Sequence, residues 1–594
     1  MKRSAIFLLV LVFVGRAAGS PLPATGSPLP ATGSPLPAAG SPQPAAGSPL
    51  PAAGSPLPAA GSPLPAAGSP LPAAGSPLPA AGSPLPLVVV VSFDQMRGDF
   101  ATRFEKVYQS KNGGGFARIR REGVDFESCY YRHASNITGP GHASLLTGCY
   151  PAKTGIVGNE FCDEQTKTCG YCAHDTAKVF SASKLLVPTL GDLLRQRSPL
   201  SKTVGVGLKD RASILMVGNN ASACIWFDAE QRRFATSSAY KQPSWLERFN
   251  KRYAVERYAG RIWTSRIPAG MGAEDSVAAE GRFPEGDGTF PHHVLDNKHD
   301  DFTASFLLSP FSMELLFDAA LFAVDQEKLG KDANTDVLCI GVSTTDYVGH
   351  MYGPDSREVQ ELYVHADLMM ERLINKLDKS VGRKNYVLVV TSDHGVAPVP
   401  EILQRQAEQQ RAVVDAGRIK KSDMKRAIDS AIASVLGPRA NNASYIKQAY
   451  EPSIYIDLAN DDPKKPRAIN AAVQVLRSHP GIAVAATASE IMYNRKPPTV
   501  DDTTWGYVRN SFYPGRSGDI VYYPKRYWII GGNVATHGTP HDYDRWVPLM
   551  FLGGGLKPQI RKDTVAPVDL APTLGTMLDL KMDNIDGAAI QLGR

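Results

Sequence analysis

The chain has 594 residues, 43% of them hydrophobic and 21% charged, with 64 basic and 58 acidic side chains and a net charge of +6. Opposite charges are interspersed and no long basic run occurs, so nucleic acid is not expected as a partner. A mild positive excess suits a small anionic substrate.

The first residues, MKRSAIFLLVLVFVGRAAGS, have a basic start at Lys2 and Arg3, an apolar run from Ile6 to Val14 and the small-residue exit Ala17-Ala18-Gly19. That layout is a secretory signal over 1–19. The run is shorter than the roughly 20 apolar residues a bilayer span needs, so no stable membrane insertion is expected after cleavage. No Cys follows the run, and a lipid anchor is not expected. A seven-residue repeat, GSPLPAT or GSPLPAA, fills 20–86. Two prolines in seven block helices and sheet ladders, which leaves a disordered, extended linker. It reads either as a tether or as a neutral expanded repeat. About 500 residues then remain for one large α/β domain over 87–594 that carries insertions.

Four apolar runs, LVVVVSF (87–93), DVLCIGV (336–342), YVLVVTS (386–392) and VPLMFLG (547–553), read as fully buried strands of a parallel sheet. Between the second and third, DSREVQELYVHADLMMERLINKLDK (355–379) has helical spacing and forms the crossover, with Asp355 or Ser356 as N-cap. Residues 213–330 are rich in Trp, Tyr, Phe, Gly and Pro and read as an inserted lid beside the site. Residues 400–500 mix both periodicities and read as a small α+β subdomain. The fold class is α/β, with a mostly parallel central sheet flanked by helices.

Seven cysteines are present. One disulfide is expected within CDEQTKTCGYC, among Cys162, Cys169 and Cys172; Cys149, Cys224 and Cys339 are expected as buried thiols.

Acidic residues and histidines fall just beyond the strands: Asp94 in SFDQMRGD, Asp346 and His350 in STTDYVGHMYG, Asp393 and His394 in TSDHG, and His537 in ATHGTPHDYDRWVP. In open α/β sheets that edge binds ligands. Three carboxylates and three imidazoles make two groups of three, the donor set of two catalytic Zn²⁺ ions. In SNITGPGHASLLTG (135–148), Thr138 stands before a Gly-Pro-Gly turn; alone, it reads as a cap or as a nucleophile. Asn136, Asn220 and Asn442 head glycosylation sequons, and a glycan on Asn136 would crowd the site.

The ordered set Asp94, Thr138-Gly-Pro-Gly-His, Asp346-x-x-x-His350, Asp393-His394-Gly395 and Thr536-His537-Gly538 resembles the alkaline phosphatase superfamily over nearly all of 87–590. The resemblance implies one metal on Asp346, His350 and His537, and a second on Asp94, Asp393 and His394 with the Thr138 oxygen. It makes Thr138 the nucleophile of a phosphothreonine pathway. GVGLKDRASIL (205–215), with Lys209 and Arg211, and GIVGNEF (155–161), with Asn159, resemble the PafA-type phosphomonoesterases. Such donors suit a dianionic transferring group. The implied protein is a periplasmic or secreted, monomeric alkaline phosphatase for small phosphate monoesters, with two Zn²⁺ and no separate Mg²⁺. His541 and Asp544 are expected in a supporting loop. The alternative is a phosphodiesterase or nucleotide pyrophosphatase of the same superfamily. A surface-binding protein would have a damaged ligand set, and an arylsulfatase a C/S-x-P-x-R motif; neither pattern is present.

Overall fold

The computed structural model describes residues 85–111, 113–268 and 270–593. The signal segment and all but the last two residues of the repeat lie outside the described residues.

A nine-stranded sheet organises the chain. Its strands are β1 (Leu87–Phe93), β2 (Val124–Tyr130), β5 (Thr203–Gly207), β6 (Ala223–Asp228), β7 (Arg233–Ala235), β8 (Asp336–Val342), β9 (Tyr386–Thr391), β10 (Trp546–Gly553) and β11 (Gln559–Arg561); β3 (Glu160–Asp163) and β4 (Thr168–Tyr171) form a separate hairpin. The spatial order is β11-β2-β10-β9-β1-β8-β5-β6-β7. From β9 to β6 all neighbours are parallel. Alternation along β1 feeds two cores. Leu87, Val89, Val91 and Phe93 face one helical layer, and Val88 and Val90 the other. Coverage on both faces is why the central strands read as unbroken apolar runs.

The expectation for 547–553 needs correction. β10 is antiparallel to both β9 and β2. A strand buried on both faces looks the same in sequence whichever way it runs. The direction has a consequence: the loop leading into β10, which carries His537, lies at the edge where the parallel strands end.

The α1 helix (Thr138–Thr147) follows β2 and ends at Gly148, whose φ of 68° is left-handed. The α2 helix (Asp210–Val217) follows β5, and α3 (Thr344–Tyr352) follows β8. The crossover is α4 (Arg357–Ser380), capped by Ser356, whose hydroxyl accepts from the Val359 amide. Its buried row, including Leu362, Met370, Leu373 and Leu377, packs on the first core.

The insertion expected over 213–330 is narrower. ACIWFD at 223–228 is β6, β7 pairs with it, and the helix Pro310–Gln326 packs against α4 in the main core. Its apolar ends were masked by the aromatic-rich segment between them. Within 417–530, the strands Ile446–Tyr450, Ser453–Ile456, Ile520–Pro524 and Ile482–Thr487 form a four-stranded sheet, which shares a core with the helices Lys421–Leu436 and Lys465–Ser478. Among the described residues no helix is long and apolar enough to cross a membrane.

The disulfide joins Cys162 to Cys169 across the β3–β4 hairpin; Cys129, Cys149, Cys172, Cys224 and Cys339 are buried free thiols.

Candidate active site

Five strands that run in one direction end at one edge, and each ends in polar chemistry. β1 delivers Asp94, β2 leads to Thr138, β5 to Lys209 and Arg211, β8 to Asp346 and His350, and β9 to Asp393 and His394. The loop into β10 adds His537 from the same side.

The three histidines share one orientation. His350 Nδ1 lies 2.8 Å from the Ala535 carbonyl, His394 Nδ1 2.9 Å from Gly395 and His537 Nδ1 2.9 Å from Asn136. A carbonyl accepts only from an N–H, so each Nδ1 carries a proton and each Nε2 is the nitrogen turned toward the carboxylates. That arrangement is typical of metal-ligating imidazoles. The Nε2 atoms converge on carboxylates: His350 and His537 at 3.2 and 3.4 Å from Asp346 Oδ1, and His394 at 3.3 Å from Asp94 Oδ1 and from Asp393 Oδ2.

Among the described residues two groups have the compactness to hold an ion: Asp346, His350 and His537, and Asp94, Asp346 and His394. The first is the set implied by the sequence. In the second, Asp346 stands where Asp393 was expected. Asp393 remains against His394, but its Oδ2 also lies 3.1 Å from His142 Nδ1. The donors fit divalent zinc-type ions: Asp94 Oδ1, Asp393 Oδ2 and His394 Nε2 are buried, the nitrogen 3.3 Å from each oxygen, with no well-aligned hydrogen bond to any of the three.

Lys209 threads between the groups. Its Nζ donates to Asp94 Oδ2 at 2.7 Å and to Asp346 Oδ2 at 2.5 Å. Burial opposes the charge, but Asp346 and Asp94 carry this ammonium above the ordinary lysine range. Burial and Asp346 would raise the Asp94 carboxyl, yet Lys209 and His394 hold it below the usual range. Burial also opposes the charge of Asp346, which His350 and Lys209 keep well below that range. Burial and then Asp94 push Asp393 up. His394 rises to about 9, against burial, through Asp393 and Asp94; burial and then His394 lower His537 to about 3.

Thr138 is the first residue of α1, with Ile137 in the N-cap position, so it is not the cap. It sits at the positive end of the helix dipole. Gly141 is required there: a Cβ would lie 2.2 Å from the Asp393 carbonyl oxygen. Asn136 cannot carry a glycan in the folded protein, because its buried Nδ2 donates to the His133 and Thr539 carbonyls. Asn159 Oδ1 accepts from the Gly139 amide at 2.8 Å, which leaves its NH₂ group as the donor end of the side chain. Arg211 donates Nη1 to the Tyr171 hydroxyl at 3.0 Å while its Nε is buried and unpartnered. Asp544 accepts from Thr539 N and Oγ1, and His541 Nε2 lies 3.0 Å from the Pro524 carbonyl; both brace the loop after His537.

Sequence reasoning missed Gln95, His142 and Tyr171. Gln95, at a φ of 68°, donates Nε2 to Asp346 Oδ1 at 2.8 Å and its backbone N–H to Asp393 Oδ1 at 3.2 Å. His142 stands one helical turn from Thr138, with Nδ1 3.0 Å from the Thr138 carbonyl. The i, i+4 spacing from Thr138 was the available signal. Gln95 had only adjacency to Asp94, and Tyr171 none.

An α/β sheet with paired acid–imidazole groups and a helix-terminal threonine at its carboxyl edge defines the alkaline phosphatase superfamily arrangement. Within it, the chain belongs to the family described as type I phosphodiesterase / nucleotide pyrophosphatase, whose model matches residues 88–544. It is 32% identical to alkaline phosphatase PhoK of Sphingomonas sp over 85% of this chain and 91% of that protein. It is 30% identical to alkaline phosphatase PafA of Elizabethkingia meningoseptica over 83% and 92%. The crystal structure of wild type alkaline phosphatase PafA matches with a TM-score of 0.76 at 28% identity, covering 86% of this chain and 99% of that one.

Proposed function

We propose that this protein is an exported alkaline phosphatase that hydrolyses small phosphate monoesters at a two-zinc site through a covalent phosphothreonine on Thr138. The observation that carries the reading is the gathering at one sheet edge of Thr138, Asn159 bonded to the next residue's amide, and two compact acid–imidazole groups, with Arg211 keeping an unpartnered Nε. The names of the relatives, alkaline phosphatases in PhoK and PafA, support it. Export rests on the amino-terminal sequence.

Asp346, His350 and His537 would hold one ion, and Asp94, His394 and Asp393 the other, with Asp346 close to both. When bound, the ions supply the Lewis acidity that ionises the attacking hydroxyl and water and neutralises the leaving oxygen. Thr138 Oγ1 attacks phosphorus, the P–O bond to the alcohol breaks, and the alcohol leaves with a proton. Water then attacks the phosphothreonine, the Oγ1–P bond breaks, and inorganic phosphate leaves. Throughout, Asn159 donates through its NH₂ group and Arg211 through its free edge to the non-bridging oxygens, where charge is greatest for a dianionic group. Lys209 keeps Asp94 and Asp346 ionised and adds positive charge between them.

The family description favours one competing reading, a diesterase. Rates on p-nitrophenyl phosphate and bis-p-nitrophenyl phosphate, with and without a chelator, separate the two. A kcat/KM ratio well above one for the monoester, lost on chelation, is expected. A preference for the diester would replace the reading, and activity after exhaustive chelation would remove the metal from it.

A further inference from the structure

The β3–β4 hairpin lies outside the strand-end constellation, yet both of its ends reach the site. Asn159 immediately precedes β3, and Tyr171 closes β4. The strands pair Glu160 with Tyr171 and Cys162 with Cys169, and the Cys162–Cys169 disulfide spans the second of these pairs. One residue further out, the Cys172 amide donates to the Asn159 carbonyl at 2.8 Å, so the ladder continues to Asn159 itself. The hairpin is also pinned from behind. Arg516 Nε donates to Asp163 Oδ2 at 2.8 Å, and the Glu164 amide donates to the Gly515 carbonyl at 2.8 Å.

The Tyr171 hydroxyl makes two directional contacts. It donates to Asp210 Oδ1 at 2.5 Å and accepts from Arg211 Nη1 at 3.0 Å. A phenol has one proton. Because Asp210 takes it, a lone pair is committed to the guanidinium. The ring is held by edge contacts with His174 and Phe180. One edge of the Arg211 fork is therefore fixed, and the opposite side, with its buried and unpartnered Nε, is left as a donor. A planar guanidinium held at one edge loses little freedom when the other binds an oxyanion.

We propose that the disulfide-stapled hairpin is the positioning element of the phosphoryl-oxygen donors, with Tyr171 as the residue that sets the plane of Arg211 for a dianionic phosphate group. This rests on the monoester reading above. Tyr171 is a positioning residue, and it acts through Arg211.

The test measures Tyr171→Phe, Arg211→Ala and the double variant, as zinc-loaded full-length enzyme, on the mono- and bis-p-nitrophenyl esters. Inorganic phosphate is the inhibitor probe. Tyr171→Phe should lower monoester kcat/KM by about 10- to 100-fold, the scale of one charge-assisted hydrogen bond. The diester value should change less than about threefold, and the phosphate Ki should rise in parallel with the monoester loss. In the Arg211→Ala background the same substitution should add less than about threefold, because its only route is then gone. Asp210→Asn, which keeps the phenol, should give a smaller loss of the same selectivity, and it carries the test if Tyr171→Phe does not fold. Equal loss on both esters in Arg211→Ala overturns the monoester reading and this inference with it. Selective loss in Arg211→Ala, with unselective or additive loss in Tyr171→Phe or Asp210→Asn, overturns this inference alone.

Discussion

Replacing Lys209 by Ala should have opposite effects on metal affinity and on turnover. The Lys209 side chain is 6% exposed, and its partners Asp94 and Asp346 are 0% and 3% exposed. Two charge-assisted hydrogen bonds at about 1.5–3 kcal/mol each give about 3–6 kcal/mol, and the removal of one partner from a buried ion pair about 3–5 kcal/mol, so the cost to metal-free protein is about 3–5 kcal/mol. An exposed pair would be worth under about 1 kcal/mol, so burial decides the magnitude. With divalent ions bound, the same carboxylates are neutralised as ligands, and the cost should fall to about 1–2 kcal/mol. The difference, about 2–3 kcal/mol, must appear as tighter zinc binding by the folded variant, about 30- to 150-fold. Turnover of a monoester should nevertheless drop by about 100-fold or more, because a cation is lost from the site. Urea unfolding of chelated and zinc-saturated protein, with competitive zinc titration and p-nitrophenyl phosphate kinetics, measures all three. Equal destabilisation in both forms, or weaker zinc binding, would show that Lys209 does not act as the counter-charge of the two carboxylates.

Thr138→Ala should remove most monoester turnover and all trapping of a phosphoenzyme, while zinc content and unfolding midpoint stay close to wild type. Near-normal rates in the purified variant would end the nucleophile assignment. Metal analysis of wild type should find about two zinc ions per chain, and His350→Ala about one, from the two ligand groups; an unchanged count in the variant would exclude His350 as a ligand. Glu280 is raised from 4.5 to about 8, first by burial and then by Glu358 and Asp275. Its folded state binds the proton more tightly than the unfolded chain, so stability falls as pH rises from about 4.5 to 8 and levels off above. The side chain is only partly buried, which discounts the effect to about 1–2 kcal/mol. Glu280→Gln should match wild type in denaturation at pH 5 and exceed it by that amount at pH 9; a difference that did not change with pH would refute the assignment.

The strand-end acids and histidines were legible because a strand buried on both faces is an apolar run, and its first polar residues mark the sheet edge. What such a run cannot encode is direction. Reading 547–553 as parallel gave no reason for His537 to be near the other ligands; the antiparallel register of β10 supplies one. The exchange of Asp393 for Asp346 in the second compact group was equally invisible. It depends on where the Asp393 carboxylate sits, with Oδ2 3.1 Å from His142 Nδ1, and on Lys209 bridging Asp94 and Asp346. Lys209 and Arg211 were read as an equivalent pair from one short motif. Two positions apart around the N-terminus of α2, they diverge, Lys209 toward the Asp94 and Asp346 carboxylates and Arg211 toward Tyr171. Arg211, not Lys209, is therefore the clean probe of substrate charge.

The charge of the substrate gives a further test of the monoester reading. A monoester dianion carries one more negative charge than a diester, and Arg211 is the cation whose unpartnered Nε is left to meet it. Removing the Arg211 charge should therefore bring mono- and diester rates closer together even with both metals in place. A variant with full zinc occupancy and an unchanged ratio of the two rates would mean that selectivity comes from the shape of the pocket and not from its charge.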